Sequence, residues 1–481
     1  MMNQPPKLNI GSHDLPVSAQ LADFMMTGWA NTERTDVRPL PCVPFTAPRR
    51  EKLSALYPGH RLVIPAGTFK VRANDTDYRF RPHSAFAWLT GIPGGEVVPD
   101  TVLVFEPNGD GHDVFLYLHP RSSRESAEFF RDRRHGELWV GRRPSAAEAE
   151  VAYGIKVRHI NDLAKDIAHG DHTILVRGED QKVDSLVAAH AREGELLQML
   201  AELRLIKDDF ELEEMRKAVE ATIRGFEDVV RALPDAMKSE RGERIIEGAF
   251  YTRARTEGND VGYDTIAASG AHACILHWMR NDGEVNDGDL LLLDAGVEVE
   301  SLYTTDVTRT LPVNGKFTDA QRKIYQLVYD AQEAALATIK PGAKFRDFHR
   351  ASQRVIAKGL EEWGILPISA EESLDPEVGL HRRWTLCSTG HMLGIDVHDC
   401  AKARADQYLD GVLEVGHVLT VEPGLYLQPD DLLLPEELRG IGIRIEDDIV
   451  VTEDGYELLT KDLPRHPDDI EKWMGRLLGK N

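Results

Sequence analysis

Short apolar runs and longer apolar stripes alternate along the chain and divide it into two halves of different character. In the first half, RLVIPAGTF from Arg61, TVLVFEP from Thr101, DVFLYLHP from Asp113 and HTILVRG from His172 read as strands set among helical segments. Ser145, with Glu148 three residues on, marks a helix start by its capping-box spacing. These signals predict an α/β domain over residues 46–187, preceded by a polar, proline-containing extension over 1–45 with one amphipathic patch from Leu21 to Trp29. Residues 188–206 favour helix throughout and read as a connector. After Asp208, Leu212, Met215, Val219, Ile223, Phe226 and Val230 recur in steps of three and four and line one face of a second helix. From 207 to 470 the pattern changes to strands with carboxylates at their ends, DLLLLDAGVEV, TTDVTRTLPV, GHVLTVEPGLYL and GIRIEDDIVVT. Helices such as the one opened by Thr318 and Gln321 separate them, which predicts an α+β domain.

Length and composition fit this two-domain reading, because 481 residues exceed what one core organises and 42% apolar with 28% charged residues is ordinary for a globular chain. A formal charge of -23 repels a phosphate backbone, and the longest basic groupings, such as Arg131 to Arg134 and Arg142 with Arg143, have acids nearby and read as solvated surface. Nucleic acid is therefore not an expected partner. Four cysteines without a paired spacing fit a reducing compartment, and the absence of a long apolar span or leader pattern predicts a cytoplasmic protein that does not engage a membrane.

The chemistry lies in the acids of the second half. Asp294 ends a run of four leucines and Asp306 follows 12 residues later, with a reversal expected near Glu300. Two bare carboxylates on neighbouring strands, about 5 Å apart, repel strongly, and a divalent cation between them resolves the conflict. Glu422 and Glu446 also emerge from apolar strands, and Arg444 shares a face with Glu446 by strand alternation. With His391 they make a set that balances two divalent ions, a known hydrolytic arrangement. The oxygen-rich donors lean toward Mn2+, with Co2+, Zn2+ and Fe2+ left open. Alone, His277 beside Trp278 reads as a packed or surface histidine and His398 as a turn cap.

The segments ILHWMRND, LLLDAG, TDVTRTLPVNGKF, GHMLGIDVHD, TVEPGLY and GIRIEDD occur in the order seen in aminopeptidase P, and the chain resembles that family over most of its length. The resemblance implies a pita-bread (creatinase/aminopeptidase-like) metallopeptidase domain after the α/β domain, to which RFRPHSAFAWLTGI and ELWVGRRPS correspond. It implies that Asp294 and Asp306 hold one ion, that Asp306 and Glu446 bridge, and that His391 and Glu422 complete the other. It also sets His277 and His398 beside the scissile carbonyl, with Glu422 catalytic and Tyr426 and Arg444 in the substrate pocket. Two departures stand out. Where the family usually has a histidine four residues before His391, this chain has Cys387, read as a small buried thiol, so that histidine's role is absent, reassigned or supplied by His381 nearby. The spacing from Asp294 to Asp306 is one residue longer than usual, which a β-bulge would absorb.

The resemblance thus implies hydrolysis of the bond between an N-terminal residue and a following proline in peptides. The alternatives are a prolidase-like dipeptidase with the same ligands, a creatinase-like hydrolase and a non-catalytic pita-bread binding protein, the last two disfavoured by the complete ligand set. A homodimer or homotetramer is expected by resemblance. Phe86 and Trp88, two apart, would share a face on a strand and read as packing residues.

Overall fold

The structure is a computed structural model and describes residues 15–168 and 172–479. Tertiary contacts divide the chain into two compact units at Leu197 and Gln198. The first unit is built on a five-stranded mixed sheet in the order Lys156–His159, Gly111–Leu118, Val102–Asn108, Arg61–Pro65, Thr173–Leu175. Its inner pairs are antiparallel and its two outer pairs parallel. Unbroken apolar runs such as Leu62–Val63–Ile64 are fully buried, as expected of central strands covered on both faces. Ser145 and Glu148 form the expected capping box, with each side chain bonded to the other's backbone N–H.

Three expectations for this unit change. SAFAWLTG is a helix, Ser84–Thr90, so Phe86 and Trp88 point to different sides and both are buried, packing into the unit without sharing a face. Arg143 is not solvated surface; it is buried and donates to the carbonyls of His119 and His135. Of the amino-terminal extension, residues 1–14 lie outside the described residues. The patch near Leu21 forms the helix Ala19–Met25, which sets Ala22 against Phe129 and Phe130. The connector is also less regular than its composition suggests, with the helix confined to Glu193–Glu202.

The second unit packs long helices against short antiparallel sheets. Asp209–Ala236, capped by Asp208 with Glu211, buries Met215, Val219, Phe226 and Val230 along one stripe. It pairs with Gly242–Glu257, and Asp319–Leu336, opened by the Thr318–Gln321 capping box, pairs with Arg346–Glu362. One sheet orders Thr308–Pro312, Leu290–Asp294 and Ile266–Ser269, another Val418–Val421, Asp447–Thr452 and Gly455–Leu458, and a two-stranded ribbon joins Gly424–Leu427 to Ile441–Arg444. Leu290 to Leu293 are at most 3% exposed, and burying each contributes about 1.5–3 kcal/mol, which fixes where Asp294 emerges. The register that pairs Asp294 with Thr308 continues unchanged to the bridge between Glu298 and Thr304. No bulge absorbs the longer spacing; the chain reverses around Leu302, which takes φ 71°. No helix among the described residues is long and apolar enough to cross a membrane.

Candidate active site

Strand ends of three sheets converge on one cavity of about 200 Å³ in the second unit. Asp294 closes its strand, Asp306 lies two residues before Thr308–Pro312, Glu422 follows Val418–Val421, and Glu446 sits between Ile441–Arg444 and Asp447–Thr452. His391 lies on a segment that bonds along Val418–Val421, where its carbonyl accepts the N–H of Thr420 at 2.9 Å. All nine residues singled out in the sequence, these five with His277, His398, Tyr426 and Arg444, line this cavity. Apolar walls come from Ile266, Leu276, Met279 and Val397.

Asp306, His391 and Glu446 offer ligand atoms that all lie within 4.8 Å of one another. The Nε2 atom of His391 is 3.2 Å from Asp306 Oδ2 and 3.4 Å from Glu422 Oε1. Its Nδ1 is 3.1 Å from the Met392 carbonyl, to which it must donate, so Nε2 is the nitrogen presented to the acids. Glu446 is 1% exposed and accepts the Thr308 hydroxyl on Oε2 at 2.7 Å, but its Oε1 has no hydrogen-bond partner. A buried carboxylate oxygen without a donor is costly, and a cation supplies what the protein withholds. The donor set therefore fits a divalent metal.

The remaining contacts sort the acids. Asp294 accepts the Tyr263 hydroxyl on Oδ1 at 2.6 Å and Arg444 Nη2 on Oδ2 at 2.5 Å. Arg444 also donates to the Tyr426 hydroxyl at 2.9 Å and to Thr308 Oγ1 at 3.0 Å, tying the pocket residues into one network. Burial pushes Glu422 up to about 7 and Glu446 well above the carboxylate range. Burial also opposes ionisation of Asp306, yet the hydrogen bond and charge of His391 outweigh it and hold that acid below its usual value. His391 is in turn raised to about 9, since Asp306 and Glu422 overcome its desolvation. The imidazole of His398 meets that of His391 edge-on at 4.4 Å. The residue after it, Asp399, is buried and paired to Lys207 at 3.1 Å and Arg204 at 3.0 Å, which anchors the His398 turn.

Two expectations for the neighbourhood of Cys387 are corrected. It is exposed at the cavity wall, not buried, because it lies in a loop that stands away from the strands. His381 does not take over at the cavity; it is 4% exposed and held by Ser373. Sequence reasoning missed Tyr263, Thr308 and Asp448, the last of which accepts the main-chain N–H of Asp306 on Oδ2 at 3.3 Å. Thr308 and Asp448 each lie two residues from a recognised acid, so strand alternation was a usable signal, whereas nothing in the local sequence marks Tyr263.

Residues 213–453 match the family model for metallopeptidase family M24, and residues 46–173 match that for the aminopeptidase P N-terminal domain. The chain is 55% identical to Xaa-Pro aminopeptidase 1 of Streptomyces coelicolor, covering 96% of this chain and 93% of that one. It is 34% identical to Xaa-Pro aminopeptidase of Escherichia coli over 89% and 97% of the two chains. Among solved structures, Pseudomonas aeruginosa aminopeptidase PepP superposes with a TM-score of 0.78 at 31% identity, covering 92% of this chain and 99% of that one. Aminopeptidase P from E. coli with the inhibitor Pro-Leu gives 0.77 at 32%, covering 90% and 98%. The paired domain matches and these near full-length relatives lead to one assignment: the chain belongs to metallopeptidase family M24, as a member of the aminopeptidase P group.

Proposed function

We propose that this cavity hydrolyses the bond between an N-terminal residue and a following proline, as a metal-dependent Xaa-Pro aminopeptidase. The observation that carries the metal requirement is the buried, partnerless Oε1 of Glu446, a residue that offers a ligand atom within 4.8 Å of those of Asp306 and His391. In this reading Asp294 and Asp306 would hold one ion, Asp306 and Glu446 would be shared, and His391 with Glu422 would hold the second. The oxygen-rich set favours Mn2+. When bound, the ions supply Lewis acidity and lower the pKa of water toward neutrality.

The chain's own residues carry the remaining steps. Glu422 takes the proton of the attacking water and delivers it to the proline nitrogen, which must be protonated to leave. His277 and His398, both on the cavity wall, donate to the carbonyl oxygen as negative charge develops there. Burial raises Asp294, and Arg444 and Tyr263 orient it and favour its charged form against that burial, as the substrate's free amino terminus requires. Proline offers no N–H, and the apolar side chains of Ile266, Leu276, Met279 and Val397 suit its ring. A homodimer or homotetramer completes the reading by resemblance, and unpaired cysteines fit a cytoplasmic setting.

The test is to strip the purified protein with a chelator, restore Mn2+, and follow release of the first residue from an Xaa-Pro-Yaa tripeptide. The matching Xaa-Pro dipeptide and Xaa-Ala-Yaa tripeptide run beside it. Metal-dependent cleavage of the proline tripeptide alone supports the proposal. Preference for the dipeptide replaces it with a prolidase-like reading, and cleavage without metal overturns it.

A further inference from the structure

The loop that carries His277 is held by a single carboxylate outside the cavity. Glu243, in the first turn of the Gly242–Glu257 helix, is fully buried. Its Oε1 accepts the main-chain N–H of Ser269 and the Nδ1–H of His272, each at 2.8 Å. Its Oε2 accepts the indole N–H of Trp278 at 2.8 Å and the main-chain N–H of Gly283 at 2.7 Å. Its own N–H donates back to the Gly283 carbonyl at 3.1 Å. All four acceptor contacts thus reach one segment, residues 269–283, with His277 inside it and next to the pinned Trp278. His272 stacks on Trp278 at 3.8 Å, closing the arrangement.

A second clamp acts on the same segment. Asn281, buried and with φ 45°, accepts the N–H of Ala267 at 3.0 Å and donates to the carbonyl of Thr265 at 2.8 Å, so its side chain occupies the free edge of the Ile266–Ser269 strand. Gly283 is required by the approach to Glu243, since a Cβ there would lie 2.9 Å from Oε2 and 2.6 Å from the His272 ring. Neither Glu243 nor Trp278 lines the cavity. A carboxylate that saturates both oxygens with donors from one loop fixes that loop's path, and a histidine that stabilises developing charge must be held to within a fraction of an ångström.

We propose that Glu243 is the positioning residue for His277, setting turnover through the loop without touching substrate or metal ligands. This rests on the catalytic reading of His277 given above. The test is a double-mutant cycle with Glu243→Gln, His277→Ala and the pair, reading kcat and KM on the proline tripeptide and bound manganese by mass spectrometry. Gln is isosteric, so packing survives, but its NH2 faces two donors that it cannot accept. Glu243→Gln is expected to lower kcat about tenfold to a hundredfold with metal content unchanged, and the pair to be no slower than His277→Ala alone. Additive losses, lost metal in Glu243→Gln, or full activity of that variant would overturn the proposal while leaving the His277 reading intact. Full activity of His277→Ala would remove both. If Glu243→Gln does not fold, Trp278→Phe, which deletes one donor and keeps the ring, takes its place in the cycle with the same expected non-additivity.

Discussion

Glu446, Asp447 and Asp448 are consecutive and all buried, yet the protein treats Asp447 and its two neighbours in opposite ways. Asp447 accepts Arg309 Nη2 at 2.6 Å, the Thr460 hydroxyl at 2.5 Å and the Gln332 amide at 2.8 Å. Glu446 and Asp448, on the other side of the strand, each keep one oxygen without a partner, and burial raises both well above the carboxylate range. An acid in a core strand is therefore uninformative by itself. What separates Asp447 from Glu446 is that the fold supplies donors to both oxygens of the first and leaves one oxygen of the second, inside the ligand cluster, without any.

The contrast can be broken most directly at Glu446. Glu446→Gln should weaken Mn2+ binding by at least about a hundredfold in titration calorimetry, while the metal-free protein melts no lower than the parent, because burial already keeps Glu446 protonated there and the neutral amide replaces a neutral group. Retained affinity would place Glu446 with Asp447. The complementary change, Arg309→Met, strands a buried carboxylate and should cost about 3–5 kcal/mol in urea unfolding. A loss much smaller than that would mean that Thr460 and Gln332 alone satisfy Asp447.

A pH series sharpens the comparison more gently. In the metal-free protein Glu422 sits at about 7, above its unfolded value, so its contribution is full below the ordinary carboxylate range and is lost as pH rises through about 7. His391, raised to about 9, contributes fully below the usual imidazole value and loses that contribution as pH rises through about 9. Asp306 has the opposite sign, but its window lies in the acid range below these. Half-buried His349 and buried His417, both lowered to about 4 by desolvation, act with the opposite sign only up to the usual imidazole value. The urea midpoint of the metal-free protein should accordingly fall from pH 7 to pH 9, and saturating metal should flatten the slope. A rising midpoint would contradict the assignment. The smallest effect belongs to Cys387, whose thiol is pushed up by partial burial and by Glu422 and so stays protonated at neutral pH. Cys387→Ser should leave kcat/KM within about threefold of the parent.

Much of this was legible in the sequence because the signals were short-range. Apolar runs ending in acids located the strands, the Ser145 and Thr318 spacings located helix starts, and motif order grouped nine residues that the structure brings into one cavity. The misreadings share a different cause. Phe86 and Trp88, Arg143 and His381 each look ambiguous locally, and their states follow from partners distant in the chain or from a helix that tertiary packing selects. Tyr263 and Glu243 act through contacts 31 and up to 40 residues away, beyond the reach of any periodicity. The bulge expectation failed because a longer turn absorbs an extra residue without disturbing the pairing before it.

Arg309 has one more consequence. Its five N–H groups are all used, on the carbonyls of Thr308, Glu446, Leu463 and Pro464 and on Asp447, so the backbone on both sides of the acid cluster is tied to the carboxyl-terminal segment. The cage is therefore assembled by the polypeptide before an ion arrives. Unlike small metal-dependent domains that fold only on coordination, this protein is expected to exchange its ions on the timescale of ligand dissociation, without passing through an unfolded state.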